Sequence, residues 1–143
     1  MQRVEIRLSG FGGQGIILAA YILGKAAALH DHKHATMTQN YGPESRGGAC
    51  SGQVIISDGP VSYPHLTRPN VVVAMSQEAY GKYARDIADG GLLLTDEDLV
   101  KLDASTSSIR HTNSPSCFFG RHHCCFSQGL IAFFLACCAP FPG

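Results

Sequence analysis

Seven residues near the start of the chain, Ser9-Gly10-Phe11-Gly12-Gly13-Gln14-Gly15, constrain its fold more than any others. Ahead of them, Val4, Ile6 and Leu8 alternate with charged residues, which predicts a strand over 3–9. Behind them, Gln14 to Leu29 runs through Ile, Leu and Ala with one charge, Lys25, and predicts a helix covered on most of its circumference. A strand that turns through glycines straight into a helix opens an α/β unit. Glycine tolerates positive φ and lets backbone N–H groups approach a ligand closely, while a helix N-terminus attracts anions. Gly10, Gly12 and Gly15 also satisfy G-x-G-x-x-G in this setting. Three readings follow: a dinucleotide site, an anion or backbone contact, and a tight turn with no ligand.

The dinucleotide reading needs an acid about 20 residues on, at the end of strand two, to hold ribose hydroxyls. Strand two is expected at 34–39 and ends in Thr38-Gln39-Asn40; Asp31 comes too early. No Gly-Lys-Ser/Thr completes a P-loop either. A stand-alone Rossmann-like nucleotide-binding protein is therefore the alternative rather than the leading reading.

The next segments continue the α/β pattern. A Gly- and Pro-rich loop is expected at 40–49, a strand from Gln53 to Ser57, and a turn at Asp58-Gly59-Pro60. Val71 to Met75 is a continuous apolar run of the kind buried parallel strands show. Gln77 to Ala88 reads as a helix, Leu92 to Leu94 as a buried strand, and Asp96-Glu97-Asp98 as an acidic helix start. This order predicts a three-layer α/β/α sandwich on a mostly parallel or mixed sheet.

Composition narrows the function classes. With 143 residues, 45% apolar and 15% charged, the chain suits a folded domain. Its formal net charge is zero, so it carries no electrostatic footprint for nucleic acid or an anionic membrane. The N-terminus is charged where a signal peptide needs an apolar core. The longest apolar run, Gly129 to Pro140, is about half a membrane span. A cytoplasmic location is expected, and there cysteines are thiols.

The chain changes character near residue 105. All 11 acidic residues lie at or before Asp103, whereas five of the 6 cysteines and six of the 7 phenylalanines follow residue 116. We divide the chain into a domain at 1–105 and an atypical tail at 106–143. That tail reads as out of frame or as an apolar terminal helix, Leu130 to Cys138, packed on the core. His122, His123, Cys124 and Cys125 are adjacent, and structural zinc sites space their ligand pairs. No metal site is assigned there. Cys50 reads as a small apolar core residue and Tyr80 and Tyr83 as packing or interface residues. His30, His32 and His34 read as a solvated turn. No residue is assigned a catalytic role.

A second loop, Asn40-Tyr41-Gly42-Pro43-Glu44-Ser45-Arg46-Gly47-Gly48-Ala49, is less common. Gly-Pro fixes a turn, and the double glycine allows close approach of the backbone. Glu44 and Arg46 are two residues apart and either pair at the surface, where a salt bridge contributes little, or serve a ligand.

Together the two loops resemble the gamma domain of 2-oxoacid:ferredoxin oxidoreductases. That family carries G-x-G-G-Q-G after the first strand and Y-G-P-E-x-R-G-G after the second. Both motifs stand here, at Gly10 to Gly15 and Tyr41 to Gly48. Ser57-Asp58, Tyr63-Pro64 and Pro69 to Tyr80 extend the likeness, which runs from Arg3 to Ser105 and looks nearest the 2-oxoglutarate type. The resemblance implies a reaction: 2-oxoglutarate, coenzyme A and oxidised ferredoxin yield succinyl-CoA, carbon dioxide and reduced ferredoxin. It implies that thiamine diphosphate, magnesium and iron–sulfur clusters sit on partner subunits. Those partners would be alpha and beta subunits, and a delta subunit where the complex has one, with ferredoxin meeting the assembled complex. Carried over, Gly10, Gly12, Gly13, Gln14, Gly15, Tyr41, Glu44, Arg46 and Gly47 would lie against coenzyme A. Gly12 to Gly15 would offer backbone donors, and Arg46 would meet a phosphate or hold Glu44.

Overall fold

Alternation in the first strand decides how the sheet faces. The computed structural model describes residues 3–41, 49–96, 98–102 and 110–114. Strand β1, Arg3–Phe11, sends Ile6 and Leu8 to one face and Glu5, Arg7 and Ser9 to the other. Helix α1, Ile16–Leu29, covers the first face, burying Ile16, Ala19, Ala20, Leu23 and Ala27 against it. Strand β2, His34–Tyr41, and strand β3, Ala49–Ser57, form an antiparallel pair. β3 is also antiparallel to β1, so β1 and β2 run the same way with β3 between them.

Strand β4, Val71–Ala74, is buried on both faces. Val71 and Val73 join the α1 cluster, while Val72 and Ala74 join a second cluster beneath helix α2, Gln77–Tyr83. Burial on both sides explains its continuous run of branched apolar residues. Strand β5, Leu92–Asp96, lies parallel to β4, and β6, Arg110–Ser114, lies parallel to β5. The sheet order is β2-β3-β1-β4-β5-β6. The expected three-layer α/β/α sandwich on a mixed sheet is the fold observed.

Several boundaries differ from the sequence expectation. Gly10 and Phe11 extend β1 past the expected end at Ser9, because β3 pairs with them through Cys50 and Ala49. β3 likewise starts at Ala49 rather than Gln53, since strands on both sides satisfy its backbone. α2 stops at Tyr83, and a 3-10 turn over Ala84–Asp86 takes its place. The acidic helix start at Asp96 is a single turn instead. The Asp96 carboxylate ends β5 and accepts from the N–H groups of Asp98 (3.0 Å) and Leu99 (3.2 Å). β6 lies past residue 105, the expected end of the domain, and continues the parallel half of the sheet. The Leu130 to Cys138 segment and the cluster at 122–125 fall outside the described residues.

Candidate functional site

The two faces of the sheet are served in opposite directions. From β1 the chain crosses on the α1 face toward β2; from β4 it crosses on the α2 face toward β5. The crossovers diverge between β1 and β4, and ligands of open α/β sheets bind outside the carboxyl ends of strands at such a point. Gly12 to Gly15 and Met75-Ser76 form its two walls.

Gln14 joins those walls. Its Oε1 accepts from the Phe11 N–H at 2.7 Å, and its Nε2 donates to the Met75 carbonyl at 3.2 Å. Below it the Met75 N–H donates to the Ser9 carbonyl at 2.9 Å. Both ends of the Gln14 amide thus hold the loop itself. Gly10 lies beneath this amide, where a Cβ would run into Gln14 Oε1 and the Ile16 side chain.

The outer rim of the loop is open. A Cβ at Gly12 or Gly13 would meet nothing within 4 Å. Gly13 (φ 93°) and Gly15 (φ 78°) both occupy the left-handed region that glycine tolerates. Gly15 caps α1 without a side-chain hydrogen bond, and the helix has no acid in its first turn. Its leading N–H groups therefore lack a capping acceptor. α2 differs: buried Ser76 accepts from the Ala79 N–H at 3.2 Å, and Glu78 stands in the first turn. An anion at this edge would meet α1 rather than α2.

Strand register brings the second loop to the same edge. Tyr41 lies opposite Cys50, and Cys50 lies opposite Gly10. Two strand spacings put Tyr41 about 10 Å from Gly10. Tyr41 is exposed, and its hydroxyl donates to Gln39 Oε1 at 3.2 Å. Glu44, Arg46 and Gly47 lie outside the described residues. β2 ends in Gln39-Asn40-Tyr41, with no acid for a ribose.

Cys50 is buried in the α1 core cluster, and loss of solvent pushes its thiol pKa up. One such cysteine among the described residues does not fit an iron–sulfur cluster, which needs four thiolates or their equivalent. His30 and His32 are exposed at the turn before β2 and His34 is exposed as its first residue; His32 takes φ 53°. Tyr80 is buried in the second core cluster, and Tyr83 packs against that cluster while stacking on the Arg7 guanidinium at 4.7 Å. Arg7 also pairs with Asp86 at 3.1 Å.

Two features escaped the sequence reading. Ser76 directly precedes a helical pattern, which is a cap signal. Gly52 directly precedes the expected strand and lies inside β3, where a glycine signals close approach of another segment. A Cβ at Gly52 would lie 2.6 Å from the Ala20 Cβ of α1.

Comparison with known proteins agrees with these elements. Residues 5–122 match the family described as pyruvate ferredoxin/flavodoxin oxidoreductase. The chain is 60% identical over 101 residues to 2-oxoglutarate synthase subunit KorC of Methanocaldococcus jannaschii, covering 71% of this chain and 54% of that protein. Among solved structures it resembles a keto/oxoacid ferredoxin oxidoreductase gamma subunit from Geobacter sulfurreducens, at 47% identity and a TM-score of 0.69. That match covers 79% of this chain and 61% of the other. The 2-oxoglutarate:ferredoxin oxidoreductase of Magnetococcus marinus, solved with 2-oxoglutarate, coenzyme A and succinyl-CoA bound, shares the fold (TM-score 0.71, 23% identity, 80% and 20% coverage). The chain spans about half the length of the curated relatives it matches. With the strand–glycine–helix unit, the mixed sheet and the match over 5–122 in agreement, the chain belongs to the pyruvate ferredoxin/flavodoxin oxidoreductase family, as a chain of its gamma type.

Proposed function

We propose that this chain is the gamma subunit of a thiamine-diphosphate-dependent 2-oxoacid:ferredoxin oxidoreductase of the 2-oxoglutarate type, contributing to the coenzyme A site and to assembly. The observation that carries the reading is the shared sheet edge: the open glycine rim and Tyr41 emerge side by side at the divergence of the two crossovers. The rim presents uncapped N–H groups to an anion, which suits a phosphate of coenzyme A. Gly10, Gly12, Gly13, Gly15 and Tyr41 would line this contact. Gln14 would shape the loop rather than touch the ligand, because its amide is spent within the fold. Glu44, Arg46 and Gly47 would complete the surface from the second loop.

Decarboxylation and electron transfer belong to thiamine, magnesium and iron–sulfur groups on the alpha and beta subunits, with ferredoxin as acceptor. No step of that chemistry is routed through this chain. The setting is cytoplasmic; among the described residues no helix is long and apolar enough to cross a membrane. Replacing Arg46→Ala in the assembled complex should raise the KM for coenzyme A about tenfold, the loss of one charge-assisted contact. An unchanged KM with normal assembly contradicts the assignment. We infer further that the tail turns out of frame past β6, whose residues still pair with β5. A continuation of the domain in another frame of the encoding DNA supports that, and its absence counts against it.

A further inference from the structure

The crevice where the two crossovers diverge is filled by the protein's own side chain. In an open α/β sheet a dinucleotide lays its pyrophosphate there, against the first glycine turn and the helix that follows. Gly10, Gly12 and Gly15 supply such a turn here, and α1 supplies the helix. Gln14 lies across it. Its amide folds back over Gly10, so closely that a Cβ on Gly10 would run into Oε1. Gly10 sits in β1 opposite Cys50 and is not among the residues of positive φ. Space for the Gln14 amide, rather than backbone freedom, therefore requires a glycine at this position. Oε1 accepts from the Phe11 N–H at 2.7 Å, and Nε2 donates to the Met75 carbonyl at 3.2 Å on the far wall. The amide thus bridges the two walls and gives the Phe11 donor a neutral acceptor of its own.

We propose that Gln14 is a specificity-determining residue: its amide stands in for a ligand oxygen at the Phe11 N–H and excludes a pyrophosphate from the crevice. An anion is left the outer rim, where nothing lies within 4 Å of a Cβ at Gly12 or Gly13. An anion entering the crevice would first have to displace the amide and lose both of its hydrogen bonds. The acid missing from the end of β2 leaves a dinucleotide ribose unheld. Gln14 acts on a different part of the ligand, denying the phosphates their seat whatever sugar they carry. The inference goes beyond the coenzyme A reading and does not depend on which molecule meets the rim.

Inorganic pyrophosphate, titrated into the isotope-labelled full chain with backbone amides followed by NMR, tests this without any ribose. In the parent the Phe11 amide signal should stay in place. In Gln14→Ala it should shift saturably, at concentrations at least about tenfold below any effect in the parent. That is the factor one freed hydrogen bond to a charged acceptor supplies. The Gly12 and Gly13 amides report the rim separately, so failure of the coenzyme A reading is distinguishable from failure of this one. A saturable Phe11 shift in the parent overturns the proposal, and that arm stands even where the variant does not fold. A folded Gln14→Ala chain whose Phe11 amide ignores pyrophosphate overturns it as well.

Discussion

Gln14 shows how one side chain can set the form of a loop. Its amide closes on the Phe11 N–H and on the Met75 carbonyl, 61 residues away in sequence. Gln14→Ala removes both hydrogen bonds and should cost about 1–2 kcal/mol in urea unfolding; an unchanged midpoint contradicts the clasp. The four glycines announced a tight strand-to-helix turn from sequence alone, because glycine tolerates the positive φ such a turn uses. The direction of Gln14 was not legible, since its distant partner, Met75, directly follows β4. At Cys50 burial favours the protonated thiol. The stabilisation this gives is complete below the ordinary pKa of 9.0 and is lost as pH rises through the higher folded value. Peptide mapping after alkylation near neutral pH should find Cys50 unmodified until the protein unfolds; prompt labelling in the folded state would count against its burial.

The fit between α1 and the sheet depends on Gly52 meeting Ala20. Gly52→Ala should destabilise by about 1–3 kcal/mol through overpacking. Pairing it with Ala20→Gly should recover about 1 kcal/mol of the summed cost, and strictly additive losses would show that the two do not touch. The strongly patterned elements, β1, α1 and β4, were readable because alternation, an apolar helix run and a buried valine run each match one period. β3 was read short because Ala49, Cys50, Ser51 and Gly52 have no strand pattern of their own; β1 and β2 on either side impose it. α2 was read long because Ile87 and Ala88 look helical, whereas Ile87 is buried in the second core cluster and the Ala88 N–H is drawn to the Pro69 carbonyl at 2.9 Å. Asp96 looked like a helix start for a sound reason: its carboxylate does cap two N–H groups, but the turn is not continued.

At the scale of the molecule, the antiparallel insertion of β3 between β1 and β2 is what carries both motif loops to one edge. Neither loop would make the proposed ligand surface alone: the first lacks the acid of a dinucleotide site, and the second joins two strands, β2 and β3. The likeness of the two motifs to one family was legible in the sequence, whereas their juxtaposition rests on strand order. A surface of this kind fits the proposed role of a subunit that positions a substrate. Reconstitution tests that most directly. Alpha and beta subunits of a matching 2-oxoglutarate complex are assayed for coenzyme-A-dependent ferredoxin reduction with and without this chain. The account predicts no turnover by the chain alone, copurification with the larger subunits, and turnover that depends on its addition. Full activity without it, or binding of NAD by the isolated chain in calorimetry, would contradict the account.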